Sequence, residues 1–322
     1  MKAIRVHENG GPEVLRLEDV PVPQPKEGEA LVAVEATGVN FIEIYFRLGS
    51  YKAALPLTLG GECAGTVTAV GPGVTGVRPG ERVATVNAAG SYAEFAVVPA
   101  ARLVRLPEGV SAKQGAAAML QGMTAHYLTT STYPVKPGDV CLVHAAAGGV
   151  GLLLCQVAKK LGARVIGTVS TPEKAALAKS AGADRVVLYT TEDFVAAAKE
   201  FTAGRGVNVI YDSVGKTTFE KGFDALALRG MMALFGQASG PVGPLDPQLL
   251  NQKGSVFLTR PSLFHYIATR EELLERAKAV LGWVKDGSLK LHVGAEYSLA
   301  QAADAHRALE GRQTTGKVLL IP

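Results

Sequence analysis

Cysteine is scarce in this chain: Cys63, Cys141 and Cys155 are the only three in 322 residues. An odd, sparse set argues against a disulfide framework, and three scattered thiols cannot complete a four-thiolate zinc site. A reducing cytoplasm is the setting this implies. Aromatics make up 6% and Trp283 stands alone. Its surroundings read as ordinary helix packing. The net charge is only +4, with no run of five or more like charges. That speaks against a nucleic-acid partner, while a sequence pI of about 8.9 leaves room for a basic pocket that holds a phosphate. No apolar stretch reaches about 18 residues, so no transmembrane helix is expected. Met1-Lys2-Ala3-Ile4-Arg5-Val6 lacks the apolar core of a signal peptide. The remaining balance, 48% hydrophobic and 19% charged, is that of a globular protein long enough for two domains.

The first hundred residues are rich in Gly, Pro and Val. Short β-like runs, 29–36, 64–70, 82–86 and 92–98, alternate with turns at Gly71-Pro72-Gly73, Pro79-Gly80 and Ala89-Gly90. One helical piece interrupts, 41–48. From about Ser111 the texture changes. A helix through Met119 and Tyr127 leads to the turn Lys136-Pro137-Gly138-Asp139. Strands at 140–144, 164–169, 185–189, 207–212 and 231–235 then alternate with helices. Ser170 or Thr171 can cap the helix with Pro172 in its first turn, and Gly162 can stop the helix before it. Such alternation predicts a parallel sheet covered on both faces. Near Phe257 it ends. Thr269-Arg270-Glu271-Glu272 reads as a capping box opening a helix to about Lys285, and a helix over 299–310 precedes a strand at 317–321. The expected organisation is a discontinuous β-rich domain, 1–123 with 266–322, around an α/β domain, 124–265.

The most informative segment is Val140-Cys141-Leu142-Val143-His144-Ala145-Ala146-Ala147-Gly148-Gly149-Val150-Gly151. A buried strand enters a turn of small residues and leaves as a helix. Small residues let a backbone approach a pyrophosphate, and the helix start offers free N–H groups and a positive dipole end. A tight turn in a sugar- or flavin-binding α/β domain would look similar. The strand before it, the helix after it and four further strands favour a dinucleotide. NAD-preferring folds carry an acid about 20 residues on, at the end of the next strand. Here Ser170 stands in that place, with Lys174 one helical turn further and Tyr189 ending the following strand. A hydroxyl, an ammonium and a phenol suit the 2′-phosphate of NADPH. Glu173 could instead take the acid's role, with Lys174 merely solvated, but Glu173 lies inside the helix start.

Gly138-Asp139, Leu142, Ala146, Gly149-Val150-Gly151, Gln156 and Lys159 fall at the spacing of the quinone oxidoreductase and zeta-crystallin signature. Gly10-Gly11-Pro12-Glu13-Val14-Leu15, Gly38-Val39-Asn40-Phe41-Ile42-Glu43, Tyr211-Asp212-Ser213-Val214-Gly215 and Asn251-Gln252-Lys253-Gly254-Ser255 are also typical, and so is the following Thr259-Arg260-Pro261-Ser262-Leu263. Over its whole length the chain resembles the zinc-free branch of the medium-chain dehydrogenase/reductases. The resemblance implies a GroES-like catalytic domain, a Rossmann doubly wound domain and a cleft between them. It also implies NADPH as cofactor, a quinone as electron acceptor and a homo-oligomer, here expected as a homodimer. Zinc-dependent alcohol dehydrogenases of the superfamily place a Cys after the Gly-Val pair and carry Gly-His-Glu further on. This chain has Asn40 and Gly61 at those positions, so no metal is expected, and without a Lewis acid alcohol oxidation is not the expected chemistry.

By the same resemblance Asn40, Tyr45 and Tyr51 are expected beside the nicotinamide and substrate, where the phenols could hydrogen-bond an oxygen gaining charge. Packing on the short helix and its loop would explain them equally. Thr124, Gly149, Val150, Ser170, Lys174, Tyr189, Ser213, Gly236, Gln237, Leu263 and Arg312 are the expected cofactor contacts. Arg260 stays open between a cofactor contact and an ion pair between the domains. Glu62, His144 and the cysteines read as structural. The main expectation is NADPH-dependent quinone reduction. Its alternatives are reduction of an alkenal or enoyl double bond, and a non-catalytic NADPH- or RNA-binding role.

Overall fold

The structure, a computed structural model, describes residues 1–322. The chain forms two units, residues 1–123 with 267–322, and residues 124–266. The architecture is mixed α/β.

In the first unit, strand Glu29–Val39 is the spine of a seven-stranded sheet. It pairs antiparallel with Cys63–Val70, Phe95–Pro99 and the C-terminal strand Lys317–Ile321. Most of its residues are buried, so it reads as an almost continuous apolar run rather than an alternating one. Ala30, Val32, Val67, Val83 and Val98 pack one core around this sheet. A second core gathers Ile4, Val6, Val39, Leu59, Val318 and Leu320, which ties the chain's two ends together. Strands Lys2–Val6, Arg16–Asp19 and Val293–Ser298 were not legible. Each is short and largely polar on one side, and each is held by pairing with a distant segment. The expected run 92–98 begins later, at Phe95, because Tyr92 turns inward and is fully buried.

In the second unit six strands are all parallel. Numbered within the unit they are Val140–Val143, Arg164–Val169, Arg185–Leu188, Val207–Asp212, Leu226–Leu234 and Phe257–Thr259. Their spatial order is 3-2-1-4-5-6, the doubly wound order that reverses between strands 1 and 4. Every residue of Val140–Val143 is buried, as a central parallel strand requires. The fifth strand starts five residues before the expected Met231. A register shift at Val207/Val209 and a left-handed Arg229, at φ +60°, let it run on. Helix Ala112–Tyr127 passes into a π-helical turn, Leu128–Thr132. The Thr129 hydroxyl donates to the Ala125 carbonyl at 2.7 Å, and that of Thr130 to the His126 carbonyl at 2.7 Å. Such back-bonding competes with the regular helical ladder. No helix is long and apolar enough to cross a membrane.

Candidate active site

At the reversal point the chain leaves Val143 through His144 and Ala145, turns, and starts helix Gly149–Lys160. Ala145 is left-handed at φ +52°, and its carbonyl accepts from the Gly148 amide at 2.8 Å. A Cβ on Gly151 would overlap that carbonyl, so glycine is what lets the loop fold this tightly. Gly148 gives the helix no side-chain cap. The first-turn amides of Gly149, Val150 and Gly151 have no preceding turn to donate to, which leaves an anion-binding end. Beside the loop, strand 4 ends in Asp212. Its carboxylate accepts from the Val214 and Gly215 amides and the Thr218 hydroxyl at 2.7, 3.0 and 2.8 Å. Gly236 lies against the Ser213 backbone, and the Asp212 carbonyl accepts from the Phe235 and Gly236 amides. Ser213, Gly236 and Gln237 thus meet at neighbouring carboxyl ends of the sheet, where such folds bind ligands.

The second strand ends in Val169, followed by Ser170. Thr171 is the residue that caps helix Pro172–Ser180, accepting from the Lys174 amide at 3.3 Å, so the Ser170 hydroxyl is not the cap. The Tyr189 amide donates to the Val169 carbonyl at 3.1 Å, and the Thr190 hydroxyl to the Ser170 carbonyl at 3.4 Å. Ser170, Lys174 and Tyr189 therefore cluster at one corner, with Tyr189 exposed and the other two half-buried. The carboxylate of Glu173 bonds its own helix start, to the Glu173 amide and the Thr171 hydroxyl, which holds its pKa below the usual value. That engagement argues against Glu173 serving as a ribose-binding acid.

In the first unit Asn40 starts helix Phe41–Arg47, and the Glu43 carboxylate reaches back to the Asn40 amide at 2.9 Å. The Asn40 side chain is only 6% exposed. Its Oδ1 accepts from the Lys317 ammonium at 2.8 Å and from Gln121 at 3.3 Å. Its Nδ2 donates to Glu62 Oε2 at 3.0 Å and to the Gly38 carbonyl at 3.4 Å. Glu62 is fully buried, pairs with Lys317 at 2.5 Å, and accepts from the Leu120 amide at 2.6 Å. The amide group of Asn40 is thus saturated by the protein itself. Burial pushes the Glu43 carboxyl up to about 7, against the partly offsetting pull of Lys317. One turn along the helix, the Tyr45 ring lies 5.3 Å from that of Tyr51, and Phe46 meets Tyr51 edge-on at 5.6 Å. Tyr45 is half-buried and Tyr51 is 37% exposed. The two rings form one patch, whereas Asn40 is held inside the buried network.

Of the other expected contacts, Thr124 is buried in helix Ala112–Tyr127 and Leu263 begins the short helix Leu263–Tyr266. Arg312 belongs to the first unit, exposed and left-handed at φ +57° in the turn before the last strand. The Arg260 guanidinium donates to the Leu234 carbonyl at 3.1 Å, so it braces the end of strand 5. The three thiols are buried and free, and burial raises all three pKa values, those of Cys63 and Cys155 to about 12. Lys317 escaped the sequence reading. The one available signal was a charge opening the apolar run Val318-Leu319-Leu320-Ile321, and its partner Glu62 is 255 residues away.

Residues 26–108 match the alcohol dehydrogenase GroES-like domain, and residues 149–281 match the zinc-binding dehydrogenase domain. A quinone oxidoreductase of Salmonella typhimurium is 46% identical over 323 residues, covering 99% of each chain. The chain belongs to the quinone oxidoreductase family of medium-chain dehydrogenase/reductases. The crystal structure of Escherichia coli quinone oxidoreductase complexed with NADPH superposes with a TM-score of 0.98, at 45% identity and full coverage of both chains. A 2-haloacrylate reductase of a Burkholderia species is 42% identical, covering 98% of each. The domain description names zinc, but the donor set here does not suit it. Asn40 offers no thiolate and Gly61 no imidazole, and the Glu62 carboxylate is already neutralised by an ammonium. Nowhere do three His, Cys, Asp or Glu side chains converge as metal ligands.

Proposed function

We propose that the protein is an NADPH-dependent quinone reductase that works without a metal. One observation carries the reading. A Rossmann phosphate loop is paired with a Ser170–Lys174–Tyr189 corner in place of a ribose-binding acid, in a chain 46% identical to a quinone oxidoreductase throughout. NADPH, when bound, supplies a hydride. The overall change is quinone plus NADPH plus one proton to quinol plus NADP⁺. Gly149 and Val150 hold the pyrophosphate by backbone N–H groups, and Ser170, Lys174 and Tyr189 hold the 2′-phosphate. Thr124, Ser213, Gly236, Gln237, Leu263 and Arg312 complete the cofactor contacts. Tyr45 and Tyr51 present hydroxyls to the acceptor oxygen, with Asn40 held firmly behind them.

The discontinuous GroES-like unit is the catalytic domain in this reading, and the Rossmann unit the cofactor domain. Three buried, free thiols support a reducing, cytoplasmic setting. A homodimer is supported by the outer edge of strand Phe257–Thr259, which pairs on one side only and carries Phe257 at 56% exposure, with Leu228 of the adjacent strand at 78%. Alkene reduction is the second reading, favoured by the 2-haloacrylate reductase relative. Steady-state turnover with NADPH and NADH against para-quinones and enones decides between them. Quinone turnover with NADPH that survives a chelator supports the proposal. Turnover only on enones, or only with added zinc, overturns it.

A further inference from the structure

The first unit buries a lysine charge at the start of its last strand. Lys317 is 2% exposed, and its ammonium bonds Glu62 Oε2 and Asn40 Oδ1. Glu62 in turn fixes Asn40 Nδ2 and the Leu120 amide, while its backbone carbonyl accepts from the Thr37 hydroxyl at 2.8 Å and the Ser91 hydroxyl at 3.2 Å. The groups facing the ammonium are thus two carboxylate and amide acceptors, all internal. A Cβ on Gly38 would run into both the Glu62 carboxylate and the Lys317 side chain, so the glycine makes room for the pair.

Burying two charges is costly, and an apolar pair of similar volume would hold the sheet as well or better. What the pair supplies is direction. It fixes which way the Asn40 amide points, and Asn40 is the first residue of the turn that launches helix Phe41–Arg47. Tyr45 rides on that helix and packs on Tyr51. We propose that Lys317 is a positioning residue: its ammonium is a resident cation that, through Glu62 and Asn40, sets the acceptor-side tyrosines. The proposal rests on the reading of these tyrosines as the acceptor patch.

The test compares the parent with Lys317→Met, the double variant Lys317→Met with Glu62→Gln, and Gly38→Ala. Four quantities are read: thermal midpoint, NADPH Kd from cofactor fluorescence, and kcat and KM for a para-benzoquinone. Lys317→Met is expected to lose about tenfold or more in kcat, since small misplacements of reacting groups are costly, with NADPH Kd within about twofold of the parent. The double variant, which buries no unpaired charge, should recover most of the thermal midpoint but not kcat. A purely structural pair would recover both together, and that result overturns the proposal. So does parental kcat and KM in Lys317→Met. Should the charge variants fail to fold, Gly38→Ala, which changes no charge, is expected to show the same loss of kcat at unchanged NADPH Kd, and parental turnover there also refutes the idea. A parent that reduces enones but no quinone would sink the substrate reading alone, and the same ratios measured on the enone would then decide the role of Lys317.

Discussion

If Ser170, Lys174 and Tyr189 hold the 2′-phosphate as proposed, cofactor choice reduces to a few atoms. The phosphate that distinguishes NADPH from NADH is dianionic, and an ammonium beside it contributes on the order of 1–3 kcal/mol, as hydrogen bonds to charged groups do. Lys174→Ala is therefore expected to weaken NADPH about tenfold or more while leaving NADH nearly unchanged. Steady-state kinetics with both cofactors checks it, and an equal loss for the two would remove Lys174 from the phosphate site. Tyr45→Phe and Tyr51→Phe should alter quinone turnover at constant NADPH affinity, and parental behaviour of both on several quinones would dissolve the acceptor patch. Ser170 and Lys174 could be placed near one another from the sequence because a strand end, a cap and a helix turn lie within a short stretch. Glu62 was legible as a structural residue, but its partner was not. Its partner Lys317 arrives from the last strand, and no spacing rule connects residues 255 apart.

The helix Phe41–Arg47 shows how an element that short is held. Seven residues cannot sustain a helix alone. Its far end is pinned by Arg47, fully buried, whose guanidinium donates to Glu310 at 2.9 and 2.7 Å and to the Gly10 carbonyl at 3.0 Å. Its Nη1 also meets His306 Nδ1 at 3.1 Å, and His306 Nε2 meets the Tyr92 hydroxyl at 3.1 Å. Burial, then the neighbouring Arg47 charge, lowers the His306 pKa from 6.5 to about 3. The folded protein thus keeps His306 neutral where the unfolded chain protonates it. Its contribution is complete above about pH 6.5 and is lost as pH falls toward 3. Glu43 works the other way. Its carboxyl, raised to about 7, keeps its proton to higher pH when folded, so its contribution is present below 4.5 and is lost as pH rises through 7. The two slopes oppose each other in the parent. The difference between parent and His306→Gln isolates the histidine, and it is expected to shrink by about 2 kcal/mol from pH 7 to pH 5. Denaturant unfolding at both pH values checks this. A pH-independent difference would mean that His306 is not neutral in the fold. A helix ending at Glu310 was expected from the sequence, but nothing in it announced that its buried histidine and terminal acid clamp a helix of the opposite chain end.

For the whole molecule, the parallel sheet of the second unit sets the question of assembly. Its other outer strand, Arg185–Leu188, is covered along the chain by the Arg185–Glu192 ion pair, and the Glu192 carboxylate also takes the Leu188 amide at 3.1 Å. Phe257–Thr259 has no comparable guard. Phe257 and Leu228 stand out of the sheet as exposed apolar side chains on adjacent strands. An unguarded edge with apolar flanks is a template for another strand, and an identical edge related by a two-fold axis satisfies it in an isologous contact. A dimer joined there would align two six-stranded sheets edge to edge while leaving each phosphate loop, at the carboxyl ends of strands 1 and 4, with its own cofactor. Placing a charge on that edge should oppose the contact without reaching the loop. Phe257→Asp and Leu228→Glu are each expected to shift the protein toward monomer in sedimentation equilibrium, with one NADPH still bound per chain at about the parental Kd. A parent that sediments as a monomer at tens of micromolar, the range in which weak association would already show, removes the edge as an interface. A dimer unaffected by either charge places the interface elsewhere.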